Sequence, residues 1–286
     1  MSAAAEQLDQ YAVIGNPVAH SRSPFIHQRF AQQTGEAIAY ERVLCPLEGF
    51  EAALRGFAAG GGRGCNVTLP FKFEAARLAA RCSDRATLAG AANVLRFDCP
   101  DDGGWYADNT DGIGLVRDIE RNAGVLLVGK RVLLVGAGGA GAGVLGPLLA
   151  AKPAALVLAN RSHGKAQALV ASHARWAGEQ GVALSATPLE QPGSAFDVLV
   201  NASSSSLQGA ASPVPASVLA PGALALDLMY GPAAEAFVRW AQSAGAIGRD
   251  GLGMLVEQAA EAFFIWRGVR PDTAPVLQAL RAEIAA

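Results

Sequence analysis

Residues 130–141, Lys130-Arg131-Val132-Leu133-Leu134-Val135-Gly136-Ala137-Gly138-Gly139-Ala140-Gly141, constrain the chain more than any other stretch. A basic start leads into an unbroken apolar run, the mark of a strand that helices cover on both faces. A glycine-rich turn follows, and Ala142-Gly143-Val144-Leu145 opens a predicted helix. The glycines at 136, 138 and 141 form G-x-G-x-x-G. In such a turn the first glycine permits a sharp reversal, the second lets a pyrophosphate approach, and the third lets helix and strand pack closely. The helix N-terminus then offers N–H groups and a positive dipole end to phosphates. A lone motif is weak evidence in a chain with 33 glycines, but strand before and helix after supply the required context.

With 286 residues, 51% hydrophobic and 17% charged, the chain has room for two domains with real cores. A net charge of −2 with no basic block argues against a nucleic-acid surface and for a small-molecule partner. Cys45, Cys65, Cys82 and Cys99 form no C-x-x-C pair and have no histidine cluster beside them. They read as reduced thiols of a cytoplasmic protein, and no metal is expected. Residues 1–10 do not read as a signal peptide, and no apolar run approaches a membrane span. Monomer and homodimer stay open, since no exposed apolar stripe stands out.

Residues 11–15 read as a first strand. The loop Asn16-Pro17-Val18-Ala19-His20-Ser21-Arg22-Ser23-Pro24 leads to a helix, with Ser23 expected as N-cap and Gly35 as its end. Ser21 and Ser23 are either loop and cap residues or ligand groups, since ligands of open α/β sheets bind just beyond strand ends. A strand at 38–43, a helix at 47–59 and a strand at 63–68 follow. Asn66, Thr68 and Lys72 lie at the end of the last, and Lys72 falls in the first turn of a helix, where a cation is unfavourable. Residues 91–97 and 105–108 flank Asp101-Asp102-Gly103-Gly104 as a hairpin. Asn109-Thr110-Asp111-Gly112 caps a helix over 113–122, and Asp111 has the simple alternative of being that cap.

After the glycine turn, strands at 155–159, 196–200 and 223–227 alternate with helices at 142–151, 163–178 and 233–244. Right-handed βαβ units and one doubly wound parallel sheet over about 112–250 follow from this alternation. Two helices, 253–267 and 273–284, complete the chain. The fold class is α/β with two domains, 1–111 plus 251–286 and 112–250.

The residue closing the second strand of a dinucleotide domain selects the cofactor. An acid there holds the ribose hydroxyl of NAD and repels a 2′-phosphate. This strand ends instead in Asn160-Arg161-Ser162, with Lys165 nearby. A guanidinium suits the 2′-phosphate, so NADP is expected over NAD.

Gly15-Asn16-Pro17, His20-Ser21-Arg22-Ser23-Pro24, Asn66-Val67-Thr68 with Pro70 and Lys72, Gly90-Ala91-Ala92-Asn93, Asp108-Asn109-Thr110-Asp111-Gly112, the glycine turn, Asn160-Arg161-Ser162 and residues 250–258 occur in an order that resembles the shikimate dehydrogenase family. The likeness runs from residue 11 to the C-terminus. It implies an oxidoreductase that reversibly reduces 3-dehydroshikimate to shikimate with NADPH, in chorismate and aromatic amino-acid biosynthesis. By the same likeness, Ser21 and Ser23 bind the substrate carboxylate; Thr68, Asn93, Tyr230 and Gln258 bind the substrate elsewhere. Lys72 and Asp111 form the catalytic pair. Gly136, Gly138, Gly139, Ala140, Gly141, Asn160, Arg161, Ser162 and Lys165 hold the cofactor, with Leu228 and Gly251 lining the nicotinamide. The substrate domain combines the N-terminal part with the final helices, and the site lies in the cleft between domains.

Three departures from the family pattern stand out. Val94 follows Asn93 where threonine is usual, Gly141 replaces serine or alanine, and Ser203-Ser204-Ser205-Ser206 replaces a shorter Thr-Ser pattern. None removes a group the chemistry needs. Ketone reduction requires a hydride on carbon and a proton on oxygen. Lys72 supplies a charge and a donor beside the growing alkoxide, and Asp111 compensates that charge; which of the two carries the transferred proton stays open. A quinate/shikimate dehydrogenase and a non-catalytic NADP-binding regulator are the alternatives. A regulator would need neither Lys72 nor Asp111.

Overall fold

The computed structural model describes residues 8–97, 104–208 and 211–285. The predicted turn residues Asp101, Asp102 and Gly103, as well as Cys99 and residues 1–7, lie outside the described residues. The chain divides into two compact units, Met1–Thr110 with Gln258–Ala286, and Asp111–Glu257.

The first unit is built on strands β1 (Asp9–Gly15), β2 (Ile38–Leu44), β3 (Gly62–Val67), β4 (Arg81–Cys82), β5 (Val94–Arg96) and β6 (Tyr106–Asp108), in the order β2-β1-β3-β5-β6-β4. β1 pairs in parallel with β2 and β3, while β5 is antiparallel to both β3 and β6. Helices α1 (Ser23–Thr34), α2 (Phe50–Ala59), α3 (Lys72–Leu78) and α4 (Asp84–Ala89) connect them. Strand alternation sends Ala12, Ile14, Cys65, Val67 and Leu95 to one face, where they meet Phe50 and Leu54 of α2 and Ala75 of α3. Tyr11 and Val94 point the other way and pack with Ala262 and Trp266. The Trp266 indole N–H donates to the Leu95 carbonyl at 3.0 Å, which ties the late helical segment to this sheet. Val94 is fully buried there, an apolar environment that accounts for valine in place of threonine.

The second unit opens with α5 (Asp111–Arg117), which widens into a π-turn over Asp118–Asn122. It continues through β7 (Arg131–Val135), α6 (Gly139–Ala150), β8 (Ala155–Asn160), α7 (His163–Gln180), β9 (Ala183–Pro188), β10 (Phe196–Asn201), β11 (Leu219–Asp227), α8 (Glu235–Ser243) and β12 (Ile247–Arg249). The last helices are α9 (Leu252–Arg267), divided between the units at 257/258, and α10 (Ala274–Ala285). All six strands are parallel, in the order β12-β11-β10-β7-β8-β9. Val132, Leu134, Val198, Val200, Leu224 and Leu226 face α6 through Val144, Leu145 and Leu148. Leu133, Val135, Leu199 and Ala225 face α8 through Phe237 and Ala241. The unbroken apolar runs of β7 and β10 thus reflect burial on both faces. Strand order reverses between β7 and β10, and in open α/β sheets that switch point is where ligands bind, beyond the strand C-termini.

Three details differ from the sequence expectations. Arg22 occupies the cap position of α1, with Ser23 already inside the helix and no side-chain cap bond. Asp111 is likewise the first helical residue of α5 rather than a cap before it. β9 and β12, both at sheet edges, carry too few apolar residues to be read as strands.

Candidate active site

In the first unit, the C-terminal ends of β1 and β3 are strapped together. Thr68 N–H donates to the Ile14 carbonyl at 3.0 Å and Asn16 N–H to the Leu69 carbonyl at 2.9 Å. The two loops carrying Ser21 and Ser23, and Thr68 and Lys72, therefore leave from one edge. The Asn16–Pro17 and Leu69–Pro70 peptide bonds in these loops are both cis. Because Ser23 lies inside α1, its hydroxyl is not used for capping. It is buried, and sits 3.2 Å from the Ser21 hydroxyl, which also accepts the Ser23 N–H. Lys72 opens the short helix α3, and its carbonyl accepts Ala92 N–H at 2.8 Å. That bond sets Lys72 beside the segment entering Asn93.

Beneath these residues runs a buried chain of side-chain hydrogen bonds. The Tyr40 hydroxyl donates to Asn66 Oδ1 at 2.7 Å, and Asn66 Nδ2 donates to the Asn93 carbonyl at 3.2 Å. Thr110 N–H donates to Asn93 Oδ1 at 2.7 Å. Asn93 Nδ2 donates to Thr110 Oγ1 at 2.9 Å and to Gln258 Oε1 at 3.1 Å. Burial pushes the Tyr40 hydroxyl well above its ordinary pKa, with Cys65 adding to the shift. His27 stacks on Tyr40 with centroids 4.3 Å apart. Neither of its ring nitrogens finds a hydrogen-bond partner among the described residues. Burial holds its pKa down at about 3, against a smaller opposing pull from Asn66.

An ion cluster fixes the segment that leads into Thr110. Asp108, almost fully buried, accepts Arg85 Nε at 2.6 Å and Nη2 at 2.9 Å, and also the Asn109 N–H at 2.6 Å. Glu261 on α9 joins through Arg85 at 3.2 Å and Arg270 at 2.7 Å. Asn109 Nδ2 donates to the Ala91 carbonyl at 2.9 Å. The Asp-Asn-Thr run is held by its own side chains.

In the second unit, the switch point is lined by backbone. Gly136 has φ 110°, a left-handed conformation, and a Cβ there would lie 2.9 Å from the Ala202 carbonyl group. A Cβ on Gly141 would collide with the Gly136 carbonyl oxygen, which explains glycine at that position. A Cβ on Gly138, in contrast, would meet nothing within 4 Å. The turn is therefore closed on its inner side and open at the second glycine, as a pyrophosphate needs. Gly139, Ala140 and Gly141 form the first turn of the twelve-residue α6, whose N–H groups precede the intrahelical bonds. Asn160 is committed to this turn: its Oδ1 accepts Ala137 N–H at 3.2 Å and its Nδ2 donates to the Ser162 carbonyl at 2.9 Å. Arg161, Ser162 and Lys165 are exposed around it. With no acid at the end of β8, the residues present fit NADP.

The neighbouring strand ends are bound to one another. Asp227, fully buried, accepts Asn201 Nδ2 at 2.8 Å, Met229 N–H at 2.8 Å and the Ser206 hydroxyl. Burial raises its pKa, against the downward pull of these three donors. Ser203 donates to Asn201 Oδ1 at 2.7 Å. The serine run after β10 thus serves a buried carboxylate. Leu228 N–H donates to the Asn201 carbonyl at 3.0 Å, and Gly251 N–H to the Met229 carbonyl at 2.8 Å. Gly251 packs directly on the Leu228 carbonyl, so a larger residue would displace it. Leu228 and Tyr230 are half-buried in this segment, and Asp111 is buried at the start of α5.

The expected site residues therefore fall into two groups, one in each unit. Residues 13–95 match the shikimate dehydrogenase substrate binding domain, 119–209 match shikimate / quinate 5-dehydrogenase, and 251–281 match the shikimate 5'-dehydrogenase C-terminal domain. A shikimate dehydrogenase (NADP(+)) of Acidovorax sp. (strain JS42) is 62% identical over 286 residues, covering 100% of this chain and 99% of that protein. The chain belongs to the shikimate dehydrogenase family. Among solved structures, the Ael1 enzyme from Pseudomonas putida is 47% identical with a TM-score of 0.84, covering 95% of this chain and 98% of that one. Shikimate 5-dehydrogenase from Thermus thermophilus, solved with NADP(H) and shikimate, is 33% identical with a TM-score of 0.81, covering 96% of this chain and 99% of that one.

The sequence assigns no site role to Tyr40, Asn201 or Asp227, shows Ser206 only as part of a departure from the family pattern, and shows Thr110 and Asp108 only as parts of a capping run or a family motif. Each is a buried or half-buried polar residue within or just after a strand. Its type and spacing resemble those of ordinary loop and edge residues, and its partners are distant in the chain. Among the described residues, no helix is long and apolar enough to cross a membrane.

Proposed function

We propose that this chain catalyses the reversible NADPH-dependent reduction of 3-dehydroshikimate to shikimate, with Lys72 as the acid/base and Asp111 as its carboxylate partner. The full-length likeness to the Acidovorax shikimate dehydrogenase (NADP(+)) carries the reading. The substrate has a carboxylate, ring hydroxyls and a ketone. Ser21 and Ser23 offer two adjacent short hydroxyls, a neutral donor pair suited to a carboxylate that must also leave. Thr68, Asn93, Tyr230 and Gln258 take the hydroxyls and the ring. Gly136, Gly138, Gly139, Ala140 and Gly141 receive the pyrophosphate, Asn160 shapes that turn, and Arg161, Ser162 and Lys165 meet the 2′-phosphate. Leu228 and Gly251 flank the nicotinamide.

When bound, NADPH supplies the hydride. Lys72 stabilises the oxygen as negative charge grows on it and delivers the proton. The reaction fits a cytoplasmic protein acting as a monomer or homodimer, with neither nucleic acid nor membrane as partner.

Acid–base assistance is typically worth about 10²–10⁴-fold. Lys72→Ala should therefore lower turnover of shikimate with NADP+ by about that factor, while NADP+ affinity, followed by direct titration, changes little. Near-normal turnover would sink the assignment.

A further inference from the structure

Asn93, Thr110 and Gln258 are 3%, 0% and 7% exposed and interlock through five mutual contacts. Two of the three are primary amides, whose oxygen and nitrogen ends have the same shape and opposite hydrogen-bonding character. An amide that turns over presents the wrong end to its ligand, so a site built on amides needs a fixed reference. The Thr110 backbone supplies one. Its N–H can only donate, and it points at the Asn93 amide at 2.7 Å, so the atom there must be Oδ1. The other end of Asn93 is then Nδ2, a donor, which faces Thr110 Oγ1 at 2.9 Å and Gln258 at 3.1 Å. The Gln258 atom meeting that donor must in turn be Oε1.

The Thr110 hydroxyl closes the arrangement. It accepts from Asn93 Nδ2, and its single hydrogen has Gln258 Oε1 within reach at 3.3 Å and Asn93 Oδ1 at 3.2 Å. We propose that Thr110 is a positioning residue in two parts: its N–H sets the Asn93 amide, and its hydroxyl, accepting from Asn93 Nδ2 and donating towards Gln258 Oε1, holds the Gln258 amide against it, so that Gln258 meets substrate with its Nε2 hydrogens and not with its oxygen. Gln258 then recognises an acceptor, a hydroxyl lone pair of the ring. The ion cluster on Asp108, two residues earlier, holds the Thr110 backbone in place. The inference rests on Asn93 and Gln258 being substrate-binding, as in the proposed function.

Thr110→Val keeps shape and backbone N–H while removing the hydroxyl; Thr110→Ser keeps the hydroxyl. A buried donor deprived of its acceptor typically costs a factor of about ten or more in binding. Thr110→Val should raise KM for shikimate about tenfold with a smaller fall in kcat and no change in KM for NADP+. Thr110→Ser should restore the wild-type value. In a Gln258→Ala background Thr110→Val should add less than about twofold, because its effect passes through the missing amide. Independently of turnover, the side-chain amide NMR signals of Asn93 and Gln258 should shift in Thr110→Val and not in Thr110→Ser. Unmoved amide signals, a Ser variant as impaired as the Val variant, or a full tenfold loss on top of Gln258→Ala would overturn the proposal. Wild-type protein that fails to oxidise shikimate would instead overturn the reaction, and the amide signals would still decide the role of Thr110.

Discussion

The two units build their sites from different materials. At the switch point of the second unit, the surfaces offered to a ligand are backbone: a glycine turn and the N-terminus of α6, with Asn160 bracing them. In the first unit the corresponding loops are held by side chains, a chain of bonds from Tyr40 through Asn66 and Asn93 to Thr110 and Gln258. A backbone site recognises what dinucleotides share, the pyrophosphate. A side-chain site recognises the one arrangement of oxygens that its donors and acceptors match. In the proposed function the glycine turn therefore serves any such dinucleotide, and the side chains around Asn93 carry much of the choice of substrate.

The sharpest way to break this contrast is to fill the glycine turn. A Gly141→Val side chain would enter the Gly136 carbonyl, and overpacking of this kind costs about 1–3 kcal/mol. Since the strain falls on the turn itself, NADP+ should bind roughly 10²-fold more weakly, while shikimate binding to the variant, measured by titration, stays near wild type. Equal loss of both ligands would mean that the two sites are not separate in the way described.

Arg161→Ala should have a smaller effect. Loss of one charge-assisted contact to the 2′-phosphate should reduce the preference for NADP+ over NAD+ by about tenfold, read from the ratio of kcat/KM values. An unchanged ratio would place the discrimination elsewhere, with Lys165 the next residue to vary.

The smallest effect lies at His27, stacked on Tyr40. His27 is neutral in the fold, with a pKa of about 3 against 6.5 for the free side chain. Below pH 6.5 the unfolded chain gains a proton that the folded chain refuses, so stability falls as the pH drops through the window from about 6.5 towards 3. The slope approaches about 1.4 kcal/mol per pH unit from this group. His27→Phe should flatten urea-unfolding stability across that window relative to wild type. Parallel pH profiles for the two proteins would show that His27 does not titrate as its burial requires.

The same contrast explains what could be read from sequence. β7, the glycine turn and α6 are contiguous, and each residue carries its meaning in its place in the chain. Parallel strands buried on both faces also announce themselves as apolar runs, as Val198-Leu199-Val200 does. β9, Ala183–Pro188, is an edge strand of small and polar residues, and β12 is three residues long; neither has a period to detect. Ser23 reads as a cap because Pro24 follows it, yet the helix starts one residue earlier and leaves the hydroxyl available to other groups. Thr110 could not be singled out at all by pattern. Its role depends on Asn93 and Gln258, 17 and 148 residues away, and on the direction in which two amides point. Asp227 and Ser206 were hidden for the same reason.

The most direct measurement is the initial rate of nicotinamide reduction, followed by absorbance, in four mixtures of the purified protein: shikimate or quinate, each with NADP+ or NAD+. Rapid reduction with shikimate and NADP+, and far slower reduction in the other three, is the result expected of a side-chain site for shikimate joined to a backbone site for NADP. Equal or faster reduction with quinate and NAD+, or no reduction in any mixture, would contradict it.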